Sequence, residues 1–168
     1  MFEGTQVLVN THKIVGTLGY MSPEYTIGGI FSERSDVYSF GVLLLEIVSG
    51  KKNRALYDRG QHLNLLSYAW QLWSEGKALD LMDEAIAVSS ALEVTRCIHV
   101  GLLCVQDHAM DRPNMSNVVL MLSGESDLPQ ARQPIFTFQT EMPNFATPSQ
   151  QESIWSVNTA TNTMVEGR

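Results

Sequence analysis

Residues 16–25 and 35–41 hold the densest grouping of side chains that could act on another molecule. The first run reads Gly16-Thr17-Leu18-Gly19-Tyr20-Met21-Ser22-Pro23-Glu24-Tyr25, the second Ser35-Asp36-Val37-Tyr38-Ser39-Phe40-Gly41. Hydroxyls and glycines crowd the first run, as in a turn that offers hydrogen bonds, and Pro23 suits the opening of a short helix. Asp36, at the head of an apolar stretch, is explained by helix capping and by a carboxylate's attraction to the positive end of a helix dipole. Other chemistry finds no support in spacing. His12, His62, His99 and His108 stand at no metal-ligand spacing from Cys97 and Cys104, so no metal site is expected. The sequon Asn114-Met115-Ser116 falls at a helix start and reads as idle. Trp70, Trp73 and Trp155 read as core or tail anchors rather than a ligand cage.

The elements that must hold these runs follow from periodicity. Residues 1–34 show no sustained period, which predicts an extended, partly mobile segment with at most one short helix after Pro23. From Ser35 the pattern changes. Val37, Tyr38, Phe40, Val42, Leu43, Leu44, Leu45, Ile47 and Val48 are apolar nearly all round, predicting a helix buried on every side and stopped by Gly50. Lys51-Lys52-Asn53-Arg54 then reads as a solvated loop. A second helix is predicted from Leu63 to about Leu72, and short helical turns around Leu79, Leu81, Met82 and Ile86. Leu92 to Gln106 is the cleanest amphipathic helix, its stripe running through Val94, Cys97, Ile98, Gly101, Cys104 and Val105. Met115, Val118, Val119 and Leu122 repeat that stripe in a last helix with Asn114 as a single-sided N-cap. After Gly124, prolines interrupt a stretch rich in Gln, Ser, Thr and Asn, and a disordered tail is expected.

The totals narrow the classes further. At 168 residues, with 44% hydrophobic and 17% charged content, the chain has the size and composition of one globular domain. Its net charge of −7, with no dense basic cluster, argues against nucleic acid as a partner. No run approaches the roughly 18 apolar residues of a membrane span. The best candidate, Phe40 to Val48, is short and carries Glu46, so no membrane contact is expected of this segment and it reads as soluble as written. No secretory leader is read at Met1-Phe2-Glu3-Gly4. Cys97 and Cys104, seven apart on one helix, would sit about 10 Å from each other, beyond the roughly 7 Å reach of a disulfide. Reduced, buried thiols are expected.

Together these features resemble the C-terminal half of a plant receptor-like serine/threonine protein kinase. Ser22-Pro23-Glu24 matches the family's Ala-Pro-Glu signature with Ser in first place. The lead-in from Gly16 to Met21, and the run from Ser35 to Gly41, stand at the distances the family shows. The stretches Val42 to Lys51, Cys97 to Gln106 and Asp111-Arg112-Pro113-Asn114-Met115 resemble that group's helices in particular. Trp155-Ser156-Val157-Asn158-Thr159 and Val165-Glu166-Gly167-Arg168 resemble the closing signature of its S-domain, lectin-type branch. The whole kinase fold is bilobal α+β. The resemblance implies that this part is mainly α: residues 1–34 the end of the activation segment with the substrate-docking loop, 35–124 the helical lower C-lobe, and 125–168 the disordered tail.

The implied reaction is transfer of the γ-phosphoryl group of ATP, with magnesium, to a Ser or Thr hydroxyl of a protein substrate. No Gly-rich loop, strand lysine, His-Arg-Asp loop or Asp-Phe-Gly occurs in these residues. ATP and magnesium are therefore expected in the complete kinase and no cofactor in this chain, which by itself is expected to be inactive. Gly16, Thr17, Leu18, Gly19, Tyr20, Met21 and Ser22 would form the docking loop, with the Thr17 hydroxyl supporting the catalytic aspartate. Glu24 and Arg112 would pair, because a guanidinium offers parallel N–H donors that let a carboxylate survive burial. Asp36 would bind the catalytic loop in the family, and is left with capping alone where that loop is missing. Thr5, Thr11 and Thr17 lie where such kinases are phosphorylated. The implied partners are the substrate and the remainder of the kinase domain, on the cytosolic side of the plasma membrane. The alternative reading is a truncated, non-catalytic binding module that competes for the parent kinase's partners.

Overall fold

The computed structural model of the chain describes residues 9–11, 14–17, 19–53, 64–86 and 90–134. Among them the chain is mainly helical. A short antiparallel ladder joins β1 (Val9–Asn10) to β2 (Ile30–Phe31), with Val9 opposite Phe31 and Asn10 opposite Ile30. Helix α1 (Pro23–Gly28) lies between the two strands in sequence. Then follow α2 (Glu33–Ser49), α3 (Leu65–Ser74), α4 (Ala91–Cys104) and α5 (Met115–Ser123), with single 3-10 turns at Ala78–Leu81 and Ala109–Asp111.

Helix α2 starts before Ser35, and Asp36 is not its cap. The Ser32 hydroxyl accepts the Arg34 N–H at 3.2 Å, while the Ser35 hydroxyl accepts the Ser32 N–H at 3.2 Å. This reciprocal box satisfies N–H groups that a single carboxylate one turn later cannot reach. Asp36 is exposed in the first turn, where only the dipole favours it. At the other end Gly50 closes the helix at φ +63°, as its position predicts. Asn64 and Asn114 cap α3 and α5, their side-chain oxygens accepting the Ser67 and Asn117 N–H groups at 2.7 and 2.8 Å.

The core lies where α2 crosses α4. Val42 and Leu45 of α2 meet Ile98, Leu102 and Cys104 of α4, with Leu65 and Ala69 of α3 and Val118 of α5 closing the sides. Two glycines permit the approach. A Cβ on Gly41 would stand 2.5 Å from the Cys104 Cβ, and one on Gly101 would stand 2.9 Å from Leu45, so each helix presents a bare backbone to the other. The expectation that α2 is buried on every side is not met. Leu43 is 47% and Ile47 64% exposed, because α3 and α4 cover only one side of the helix. Trp70 and Trp73 pack half-buried against the core. Cys97 and Cys104 are both free thiols.

The stretch after α5 departs from the expected disordered tail as far as Pro134. Leu128 packs against the core and Ala131 is only 6% exposed. Sparse apolar residues suffice there because α4 holds the backbone itself through polar side chains, which composition does not reveal. Thr5, Leu18, His12, His62, Arg54 and residues 135–168, with Trp155, lie outside the described residues. No helix among those described is long and apolar enough to cross a membrane.

Candidate functional site

Gly19 and Tyr20 are tethered to α2 and its exit loop by side chains from below. Ser39 donates its hydroxyl to Tyr20 O at 2.7 Å. The Tyr20 hydroxyl donates to Glu46 Oε2 at 2.7 Å, one further turn and more along the same helix. Glu46 Oε1 in turn accepts the Asn53 N–H at 2.6 Å, and Asn53 Nδ2 donates to Gly19 O at 2.9 Å. Gly19 and Tyr20 are thus bound by three side chains that the main helix and its exit loop supply. The hydrogen bond to Glu46, with burial and the carboxylate's charge, pushes the Tyr20 phenol above its ordinary pKa of 10.0. Upstream, Tyr25 of α1 grips Val15: its hydroxyl accepts the Val15 N–H at 3.1 Å and donates to Val15 O at 3.0 Å. Its ring meets Phe31 edge-on at 6.0 Å.

Between the Gly16–Ser22 run and α2 opens a cleft of about 470 Å³. Val15, Gly16, Thr17 and Met21 form one wall, and Ser35, Asp36 and Ser39 form the other. Thr17 is exposed beside it. Ser22, which is buried, also lines it.

Behind the cleft, α1 is locked to the base of the helical unit. Arg112 grips the Glu24 carboxylate with both arms at 2.8 Å, across 88 positions of sequence. Every N–H of the guanidinium is used. Nε donates to Gln106 O at 2.6 Å, Nη1 also to Arg34 O at 2.9 Å, and Nη2 also to Asp107 O at 2.9 Å. The Arg34 guanidinium returns the contact by donating to Arg112 O. Tyr38 lies 5.0 Å under the Arg112 cation, and Ser35 adds a hydroxyl to Glu24 Oε1 at 3.1 Å. The Arg112 side chain is wholly buried and that of Glu24 17% exposed. Burial alone would raise the Glu24 pKa, but its hydrogen bonds, that from Arg112 foremost, hold it below 4.5. Burial pushes the neighbouring Tyr38 phenol up to about 12.

The structure therefore brings Gly16, Thr17, Tyr20, Met21 and Ser22 to one cleft, places Gly19 beside them on its tether, and sets the Glu24–Arg112 pair directly beneath. Thr11 lies apart, its N–H donating to Gly29 O at 3.0 Å. Asp36 lines the cleft wall. Sequence reasoning missed Ser39, Glu46 and Asn53. The signal for Glu46 was present: one carboxylate inside an otherwise apolar helical run needs a partner. The solvated loop expected over residues 51–54 is not met at Asn53, which is buried with its amide bonded to Gly19 O. Lys51 in that loop stands 5.0 Å over the Tyr68 ring. Among the described residues no three His, Cys, Asp or Glu side chains are grouped as metal ligands.

Residues 4–122 match the family model described as protein tyrosine and serine/threonine kinase, and residues 123–168 match a domain of unknown function, DUF3403. The whole chain is 47% identical to the G-type lectin S-receptor-like serine/threonine-protein kinase SD1-13 of Arabidopsis thaliana, covering 20% of that protein. Over 80% of the chain, identity to the Arabidopsis thaliana kinase SRK of the same description reaches 55%, covering 17% of it. The chain thus spans about a fifth of the length of these relatives. Among solved structures it is similar to the pseudokinase domain of BIR2, an immune regulator of the RLK/Pelle family. There the TM-score is 0.57 and the identity 29%, over 66% of this chain and 33% of that one. The match over residues 4–122 shows that the chain belongs to the protein tyrosine and serine/threonine kinase family.

Proposed function

We propose that these residues form the substrate-docking face and helical scaffold of a receptor-like serine/threonine kinase. In the complete protein that kinase passes the γ-phosphoryl group of ATP, with magnesium, to a Ser or Thr hydroxyl of a protein substrate on the cytosolic side of the plasma membrane. The observation that carries the reading is the tether under Gly19 and Tyr20. A docking loop must hold its shape before the substrate arrives, since ordering it on binding costs affinity. Ser39, Glu46 and Asn53 fix the loop from below, while Thr17 stays exposed at the cleft. The names of the relatives support a hydroxyl-bearing substrate.

The test uses a complete kinase domain that contains these residues, a Ser-containing peptide and Mg-ATP. Thr17→Ala is expected to lower kcat/KM by about tenfold or more, since misplacing reacting groups by a fraction of an ångström carries penalties of this order. Tyr20→Phe is expected to act mainly on KM, because it loosens the loop and leaves Thr17 in place. Unaltered kinetics in both variants would overturn the reading. A polypeptide limited to these 168 residues is expected to transfer no phosphate.

A further inference from the structure

One face of α4 grips the backbone of the segment that follows α5. Arg96 Nη1 donates to Met121 O of α5 at 3.0 Å and reaches Ser126 O at 3.5 Å, and His99 Nε2 donates to Pro129 O at 2.9 Å. Gln106, just past the helix cap Val105, donates from Nε2 to Arg132 O at 2.9 Å. The carbonyls of Ser126, Pro129 and Arg132 recur every third residue, the period of an extended polyproline-type chain. Six such residues span roughly 19 Å and ten helical residues about 15 Å, so both tracks run the same way along comparable lengths. Leu128 and Ala131 are seated between the polar contacts. Residues 126–132 form a strap along α4.

Gln106 differs from the other two grips. Its buried amide is fully used: Nε2 also donates to Leu102 O at 2.9 Å, and Oε1 accepts the Arg132 N–H at 3.3 Å. The amide pairs with the Arg132 peptide as a neighbouring strand would, gripping backbone alone. The Arg132 side chain turns away to Asp111 Oδ2 at 3.2 Å. Meanwhile the backbone carbonyl of Gln106 accepts the Arg112 Nε–H at 2.6 Å. The same guanidinium holds Glu24, at the end of the docking run. A single buried residue therefore joins the strap to the arginine that holds Glu24, two residues beyond the loop.

We propose that Gln106 is a positioning residue that couples the seating of residues 126–132 to the order of the Gly16–Ser22 loop. The opening part of the matched domain of unknown function would then help set the shape of the docking face. The proposal rests on the reading of that loop as a docking surface. When the strap is seated, the Gln106 amide is pinned between Leu102 and Arg132, and its carbonyl is aimed at Arg112. When the strap lifts, the amide keeps only Leu102 and the residue can turn beyond the end of α4. Arg112 then loses the shortest of its bonds, and with it the alignment of its fork on Glu24.

Amide exchange on the full chain tests the coupling in two variants. Gln106→Glu keeps size but sets a carboxylate against the Leu102 and Arg132 carbonyls. Ala131→Asp puts a charge where the strap is buried, and the strap lifts without the loss of a helix. Exchange of residues 16–28 is expected to quicken roughly tenfold in both variants, while α3 changes less than about twofold. Freed amides at 126–134 with residues 16–22 unchanged would overturn the proposal. So would equal quickening in α3, which would make Gln106 a general stabiliser. Exchange reads loop order and not phosphotransfer, so loss of coupling and loss of docking register separately.

Discussion

Replacing Arg112 by alanine is expected to be among the most damaging single changes in the described residues. The side chain is wholly buried and spends every N–H it has: two on Glu24 and the rest on the carbonyls of Arg34, Gln106 and Asp107. Its loss leaves the Glu24 carboxylate without its cation, takes a donor from three carbonyls at once, and removes the cation over Tyr38. Breaking a buried ion pair on one side typically costs about 3–5 kcal/mol, and Arg112→Ala belongs at the upper end because the carbonyls lose their bonds to the guanidinium as well. Glu24→Ala is expected near the lower end, since the guanidinium keeps its three carbonyl partners. The assay is urea unfolding of a polypeptide containing the complete kinase domain, followed by tryptophan fluorescence, for both single variants and the double variant. The double variant is expected to lose less than the sum of the singles, with a coupling of about 1–3 kcal/mol. Titration gives a second readout. Glu24 ionises below 4.5 in the folded chain, so its contribution is complete above that value and is lost as pH falls through the folded-state pKa. Glu24→Gln should remove that acid-side slope. Strictly additive effects, or a slope that survives in Glu24→Gln, would show that the pair does not carry the energy its geometry suggests.

Four further outcomes are expected. Gly41→Ala should cost about 1–3 kcal/mol in chemical denaturation, because its Cβ would stand 2.5 Å from that of Cys104 in the α2–α4 contact; a neutral change would mean that the helices part freely. In a thiol-reagent assay Cys104, buried with its thiol pushed up to about 12, should react only after unfolding, whereas half-buried Cys97 should react slowly in the native chain. His99 is held below its ordinary 6.5 by burial, so the unfolded chain takes up protons first and stability should decline as pH falls from 6.5 towards the folded value; the same melting series on His99→Gln should lose that decline. Ile47→Glu, on the exposed face of α2, should reduce self-association in sedimentation without lowering the melting temperature, and an unchanged sedimentation profile would show that this face is not adhesive.

Much of this was legible from local pattern. The stripe through Val94, Ile98, Gly101 and Val105 specifies α4, because side chains three and four apart must share a helical face. Asn114 and Gly50 mark helix ends, since a free side-chain oxygen and a residue without Cβ meet the needs of unpaired backbone groups. The runs at residues 16–25 and 35–41 identified the family, and the Glu24–Arg112 pair followed from that resemblance. Tertiary structure alone decided the rest. Whether Leu43 and Ile47 are covered depends on which helices reach α2, not on their hydrophobicity. Glu46 and Asn53 acquire their role only when the fold carries Gly19 and Tyr20 over them, and Gln106 acquires its own only when Arg132 lies beside it. Composition gave residues 125–134 to the tail, but a buried amide that binds backbone reads no side chain, and so leaves no pattern in the segment it holds.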